Sequence, residues 1–198
     1  MEAATDRPAL RRDVIVAAAR EMIVAGGVEA LSLRRLARHL GVTAPALYSH
    51  VENKQALIRA VAEIEVGRLA NDFDSVRDAD PVERIRAQSR AYVAYARENP
   101  ELFSLILLTP PDLDVASLPP GTPLEMTTRA FASASTAVDD AIAAGAIASD
   151  NPLLVALTLW SGAHGVATVL RLGLGLPPEL EDAMTDEITD RILAGYRP

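Results

Sequence analysis

Residues 31–57 constrain this chain more than any other stretch, because they spell two short helices around a tight glycine turn. The run reads Leu31-Ser-Leu-Arg-Arg-Leu-Ala-Arg-His-Leu-Gly-Val-Thr-Ala-Pro-Ala-Leu-Tyr-Ser-His-Val-Glu-Asn-Lys-Gln-Ala-Leu57. Ser32 can cap a helix in which Leu33, Leu36, Ala37 and Leu40 recur at helical spacing. Gly41 follows at the position where a left-handed backbone ends a helix. Thr43 caps a second helix, and Pro45 falls in its first turn, where no backbone donor is lost. Ala46, Leu47 and Val51 give that helix an inner face. Asn53 caps a third helix that opens at Lys54. Helix, glycine-containing turn, helix is the helix-turn-helix arrangement, whose second helix enters the major groove of DNA.

Charge placement agrees. Residues 31–59 carry Arg34, Arg35, Arg38, Lys54 and Arg59 against Glu52 alone, a local excess of the kind that phosphate binding needs. The whole chain of 198 residues has a formal net charge of −8, which by itself argues against nucleic acid. The distribution reverses that. Nine Arg or Lys against six Asp or Glu leave residues 1–60 at +3, and ten against twenty-one leave residues 61–198 at −11. A basic head on an acidic body fits a protein that holds DNA by one end and keeps the other off it.

The stretch closely resembles the DNA-binding domain of the TetR family of transcriptional repressors, over about residues 10–65. The matching residues are Leu36-Ala37, Leu40-Gly41-Val42, Pro45, Leu47-Tyr48, His50-Val51, Asn53-Lys54 and Ala56-Leu57. The resemblance implies that Tyr48, His50 and Lys54 contact DNA, mostly its backbone, and that Ser32 and Arg34 meet a phosphate or a base edge. With Thr43, Ala44 and Pro45 of the recognition helix, these residues form the expected DNA-binding set. Ala44 departs from relatives that carry a base-reading amide there. Alanine makes only apolar contact, for example with a thymine methyl, so no relative's operator sequence carries over.

The rest of the chain reads as helical. Hydrophobic residues make up 49% of it with only 4% aromatics, and alternating β-branched runs are few. A first helix over about Leu10–Ala25 carries Ile15, Ala18, Ala19, Met22 and Ile23 on one stripe and stops at Gly26-Gly27. A helix from about Lys54 to Asp72 leaves the DNA-binding unit without a flexible linker, so the boundary falls inside it: 1–60 for DNA binding, 61–198 for effector binding and dimerisation. Four later starts are spelled out by Asp80-Pro81-Val82-Glu83, Asn99-Pro100, Thr122-Pro123-Leu124-Glu125 and Asn151-Pro152. Thr109 to Gly121 is proline-rich and reads as a surface loop. The last helix spans about Pro178 or Leu180 to Tyr196. The expected fold is all-α: a three-helix N-terminal unit joined through a shared helix to a helical C-terminal body.

Residues 152–170 contain no Asp, Glu, Lys or Arg, a length that could span a bilayer. The segment holds Thr158, Ser161, His164 and Thr168 and lacks flanking basic clusters, which favours a core or interface helix over a membrane span. Gly162, Ala163 and Gly165 would let another helix approach. With Met184, Ile188, Ile192 and Leu193 on the last helix, it is expected to build a two-fold four-helix interface. Trp160 and His164 share a helix face, and Trp160-Ser-Gly-Ala-His-Gly165 resembles the Trp…His-Gly motif of one TetR subgroup. With Tyr92, Tyr95, Phe103, Leu107, Met126 and Phe131 they are expected to line an apolar effector cavity.

Other chemistries find little support. Absence of cysteine removes disulfides and thiolate sites. His39, His50 and His164 never pair at i+4, so no metal is expected, and no cofactor either. Ser161-Gly162 lacks the surroundings of a hydrolase nucleophile, and a helical enzyme using His164 as a base is the weaker alternative. The resemblance therefore implies a cytoplasmic, homodimeric repressor. It would bind a pseudo-palindromic double-stranded operator and release it on meeting a small apolar or aromatic effector. An activator of the same fold is the variant left open.

Overall fold

The computed structural model describes residues 10–76, 80–108 and 125–198. Among the described residues the chain is all helix: α1 (Arg12–Ala30), α2 (Leu33–Leu40), α3 (Ala44–Tyr48), α4 (Lys54–Ser75), α5 (Pro81–Glu98), α6 (Pro100–Phe103), α7 (Glu125–Ala143), α8 (Pro152–Leu170) and α9 (Pro178–Ala194). A π-helical segment, Ser104–Leu108, continues α6. The proline-rich stretch and the Thr122 capping sequence lie outside the described residues.

Local chemistry sets most boundaries. Backbone N–H groups of Arg35, Ala46 and Ala56 donate to the side chains of Ser32, Thr43 and Asn53 at 3.2, 3.3 and 2.8 Å. Gly41 ends α2 at φ 66°, where a β-carbon would be strained. Gly26 and Gly27 interrupt α1, after which helical hydrogen bonding resumes to Ala30. Two capping expectations are corrected. Glu83 pairs with Arg86 instead of reaching back to Asp80. Asn99 does not cap α6; its amide donates to the Tyr95 carbonyl at 3.2 Å, closing α5 instead.

The hydrophobic core runs unbroken from head to body. Ile15, Ile23, Leu36, Leu47 and Leu57 of the first four helices belong to one cluster with Phe73, Tyr92, Phe103 and Val166. A second cluster, with Ile85, Val138, Val155, Leu159 and Leu193, joins α5, α7, α8 and α9. A β-carbon on Gly162 of α8 would lie 2.7 Å from Ile192 Cδ1, so glycine there lets α9 close on α8. α9 is further registered on α5 by antiparallel ion pairs: Arg86–Asp190 at 2.7 Å, Arg90–Asp186 at 2.6 Å and Arg97–Asp182 at 3.3 Å. Much of the body's acidity is thus engaged within the fold, beyond the repulsion of DNA that charge counting suggests.

Where head meets body the core holds a charge. Glu65 of α4 is 0% exposed. Arg20 of α1 donates to Oε1 at 2.7 Å, Arg68 lies 3.2 Å from the same oxygen, and the Tyr95 hydroxyl of α5 donates to Oε2 at 3.2 Å. Burial, reinforced by the Glu65 charge, raises the Tyr95 pKa well above its usual value and keeps that donor protonated. A carboxylate so placed is tolerable only while its donors stay. Arg20→Ala is therefore expected to destabilise the protein by about 3 kcal/mol, read as a lower urea midpoint, whereas Arg11→Ala, at an exposed pair, shifts it by less than about 0.5 kcal/mol.

Candidate functional site

The head presents a short helix on a firm base. α3 has only five residues, so its position depends on packing: Leu47 is fully buried and Val51 nearly so. That anchoring turns the opposite side outward. Tyr48 is 55% exposed, and Thr43, Pro45, Ser49 and His50 are exposed beside it, with Ala44 half-buried. Arg34, Arg35 and Arg38 project from α2 into solvent. The Ser32 hydroxyl accepts from Arg35 N, which leaves its own proton free to donate to a phosphate. At the start of α4, Glu52, Asn53, Lys54, Gln55, Ala56 and Arg59 frame an open hollow. Lys54 and the positive end of a 22-residue helix meet there beside the Glu52 carboxylate, and the Ala56 N–H is engaged by Asn53. All eight expected DNA-binding residues, Ser32 to Lys54, lie in this one compact unit.

A second site lies in the body between α4, α5, α7 and α8. It is a cavity of about 40 Å³ walled by Phe73, Gln88, Tyr92, Val138, Leu159 and Trp160, among others. That volume admits a few water molecules, far below the ~300–1,000 Å³ of ordinary ligand sites. One wall is an aromatic cluster. The Tyr92 hydroxyl pairs with His164 Nδ1 at 2.8 Å, and Tyr92 meets Phe103 edge-on at 5.8 Å. The His164 ring lies between Phe103, at 5.7 Å, and Trp160, at 5.1 Å. Burial lowers the His164 pKa, so the imidazole is neutral at pH 7, and burial raises that of Tyr92, so its hydroxyl keeps its proton.

Of the expected cavity residues, Tyr92 and Trp160 line the cavity, while Phe103 and His164 pack against them from behind without lining it. Tyr95 points away to Glu65, and Phe131 is half-buried against the second core cluster. The side chains of Leu107 and Met126 lie outside the described residues. Gln88 and Ser89 were missed, although they stand four and three residues before Tyr92 on α5, positions that share its face. Among the described residues no three His, Asp or Glu side chains gather to hold a metal.

A third feature is an open apolar groove of about 680 Å³ between α8 and α9, lined by Gly162, Gly165, Val166, Leu180, Met184 and Ile188. Leu153, Leu154 and Leu157 extend the exposed apolar surface of α8. α8 is the one described helix long and apolar enough to cross a membrane, with a mean hydropathy of 1.7.

Comparison with known proteins gives this layout a lineage. The model of the tetR family of bacterial regulatory proteins matches residues 15–61, and that of the tetracyclin repressor-like C-terminal domain matches residues 85–195. The chain is 48% identical over 54 residues to the class C tetracycline repressor of Escherichia coli, covering 27% of this chain and 25% of that protein. It is 27% identical over 192 residues to an uncharacterized HTH-type transcriptional regulator of Mycobacterium tuberculosis, covering 94% of this chain and 81% of the relative. A solved structure of a protein of unknown function from Rhodococcus sp. superposes with a TM-score of 0.82 at 28% identity, covering 100% of both chains.

The surface around α3 generates a graded expectation. Lys54→Ala should weaken binding to all DNA sequences alike and lower the salt slope by about one ion, while Arg34→Ala should cost about 1–3 kcal/mol and relax specificity at one base position. Gel shifts over a salt series with circular dichroism controls check both. Folded Tyr48→Ala and Lys54→Ala proteins that bind like the wild type would move the interface elsewhere.

Proposed function

Because this chain belongs to the TetR family of bacterial transcriptional regulators, we propose that it is a cytoplasmic, effector-responsive repressor. It binds a pseudo-palindromic operator as a homodimer and lets go when a small, mostly apolar molecule enters the cavity beside Trp160. Ser32, Arg34, Thr43, Ala44, Pro45, Tyr48, His50 and Lys54 supply the DNA face. The α8–α9 groove and the exposed leucines of α8 supply the dimer face, where two-fold symmetry matches two half-sites. The charge-free face of α8 is thereby covered by protein, without a membrane.

The observation that carries the coupling is the arrangement of α5. Tyr92 forms a wall of the cavity, and Tyr95, less than one turn further along, holds Glu65 together with Arg20 of the head. A cavity of about 40 Å³ cannot admit an effector without parting its walls. Displacement of α5 carries Tyr95 with it and loosens the three-sided grip on Glu65. α1 then tilts, and the recognition helices no longer match successive grooves. The effector's differential affinity for the two arrangements supplies the free energy of release.

Selection of bound sequences from a random DNA pool tests the regulator, and titration of the selected complex tests the switch. The selection is expected to return two inverted half-sites about one helical turn or a multiple apart. The inducing compound should alter Trp160 fluorescence and lower operator affinity over the same concentration range. An inducer that frees DNA with Trp160 emission unchanged, or a monomer at micromolar concentration by sedimentation, would overturn this reading.

A further inference from the structure

Within the cavity wall, Gln88 stands out. The residue is only 5% exposed and has no hydrogen-bond partner among the described residues, and its amide is open to the cavity space instead of being sealed in the core; Ser89 beside it, 8% exposed, is in the same position. Buried amides without partners are costly, and most are satisfied within the fold. Here the other polar wall group is engaged, since the Tyr92 hydroxyl pairs with His164. Among the described residues none that lines the cavity is charged. Of the cations of α5, Arg84, one turn before Gln88, is paired with Asp140 of α7 at 2.9 Å, and Arg86 and Arg90 are turned to Asp190 and Asp186 of α9.

Resting on the cavity reading above, we infer that the effector is an uncharged molecule with an apolar body and one hydrogen-bonding group, such as a carboxamide, ketone or hydroxyl, which Gln88 receives with Ser89 beside it. A primary amide offers both a donor and an acceptor, so it can satisfy any of these neutral groups. It cannot compensate the burial of a carboxylate or an ammonium, which would find no counter-ion among the described lining residues. Discrimination by this site therefore comes from two effects. A ligand without the polar group leaves Gln88 unpaired, and a charged ligand loses its hydration without return. The apolar remainder lies against Trp160, Phe73 and Leu159, which accept any shape of suitable size.

Three isolated probes of nearly equal shape decide the point: toluene, benzamide and benzoate. Each is titrated into the full-length protein and into Gln88→Met while Trp160, the only tryptophan, reports occupancy. Expected for the wild type is benzamide binding about tenfold or more tighter than benzoate, with the preference over toluene lost in Gln88→Met. The Gln88→Met protein should melt no lower than the wild type, because no hydrogen bond of the described fold is lost and the new chain is apolar and of similar length. Benzoate binding as tightly as benzamide, or a benzamide preference that survives Gln88→Met, would overturn the inference. A clear drop in melting temperature for that variant would do the same by giving Gln88 a structural role. If toluene binds while benzamide shows no preference, the cavity reading stands and this inference alone falls. If no probe perturbs Trp160, both fall.

Discussion

The carboxylate of Glu65 is the interaction on which the rest of this structure turns. It lies fully buried on the helix shared by head and body, and its partners come from three helices: Arg20 from α1 and Tyr95 from α5 donate hydrogen bonds, and Arg68 from α4 itself forms an ion pair. A buried charge of this kind is a weak source of stability, since desolvation offsets most of its attraction. Its value lies in specifying geometry. An apolar contact at the same place would tolerate sliding of α1 on α4; a carboxylate with directed donors does not. The head is held in one orientation for as long as the three partners converge.

In the proposed switch, α5 makes that orientation sensitive to the body. One side of the helix carries Arg86, Arg90 and Arg97, each paired with an aspartate of α9. Another carries Gln88 and Tyr92 into the cavity, and Tyr95 reaches Glu65. The exposed ion pairs contribute little individually, yet as a ladder they fix the register of two antiparallel helices. In that proposal, a helix held on one flank by a ladder and on the other by a single buried acceptor acts as a lever under pressure from the cavity. The wall is stiff because Tyr92, Phe103, His164 and Trp160 interlock as rings. Close-packed rings pass a displacement on because they cannot absorb it.

Neutrality of the cavity is maintained by burial. The same desolvation that raises the Tyr92 pKa lowers that of His164, so a phenol and an imidazole face one another uncharged across 2.8 Å. Arg86 and Arg90 of α5 face α9, and Arg84 is paired with Asp140 of α7. The body can thus be strongly acidic overall and still enclose a space whose described lining carries no charge. Sequence-wide charge says nothing about such a space.

What the sequence determined by itself is whatever depends on residues within about one turn of each other. Ser32, Thr43, Asn53, Asp80 and Asn151 cap their helices, and Gly41 makes its turn, because each of those interactions closes over two or three residues. The DNA-binding unit was legible for that reason: its geometry is local, and its exposed and buried faces follow from the helical period. Tertiary structure decided what depends on distant partners. Nothing in the α5 sequence tells Tyr92, which joins the aromatic wall, from Tyr95, which binds a carboxylate 30 positions back. Arg20 meets Glu65 across 45 positions and Arg86 meets Asp190 across 104, so neither pair has a periodic signature. Gln88 has the composition of a solvent-facing residue and comes to line the cavity, only 5% exposed, when α7 and α8 close over it. Capping and turns are short-range chemistry written in order along the chain, whereas burial and pairing exist only after distant segments meet.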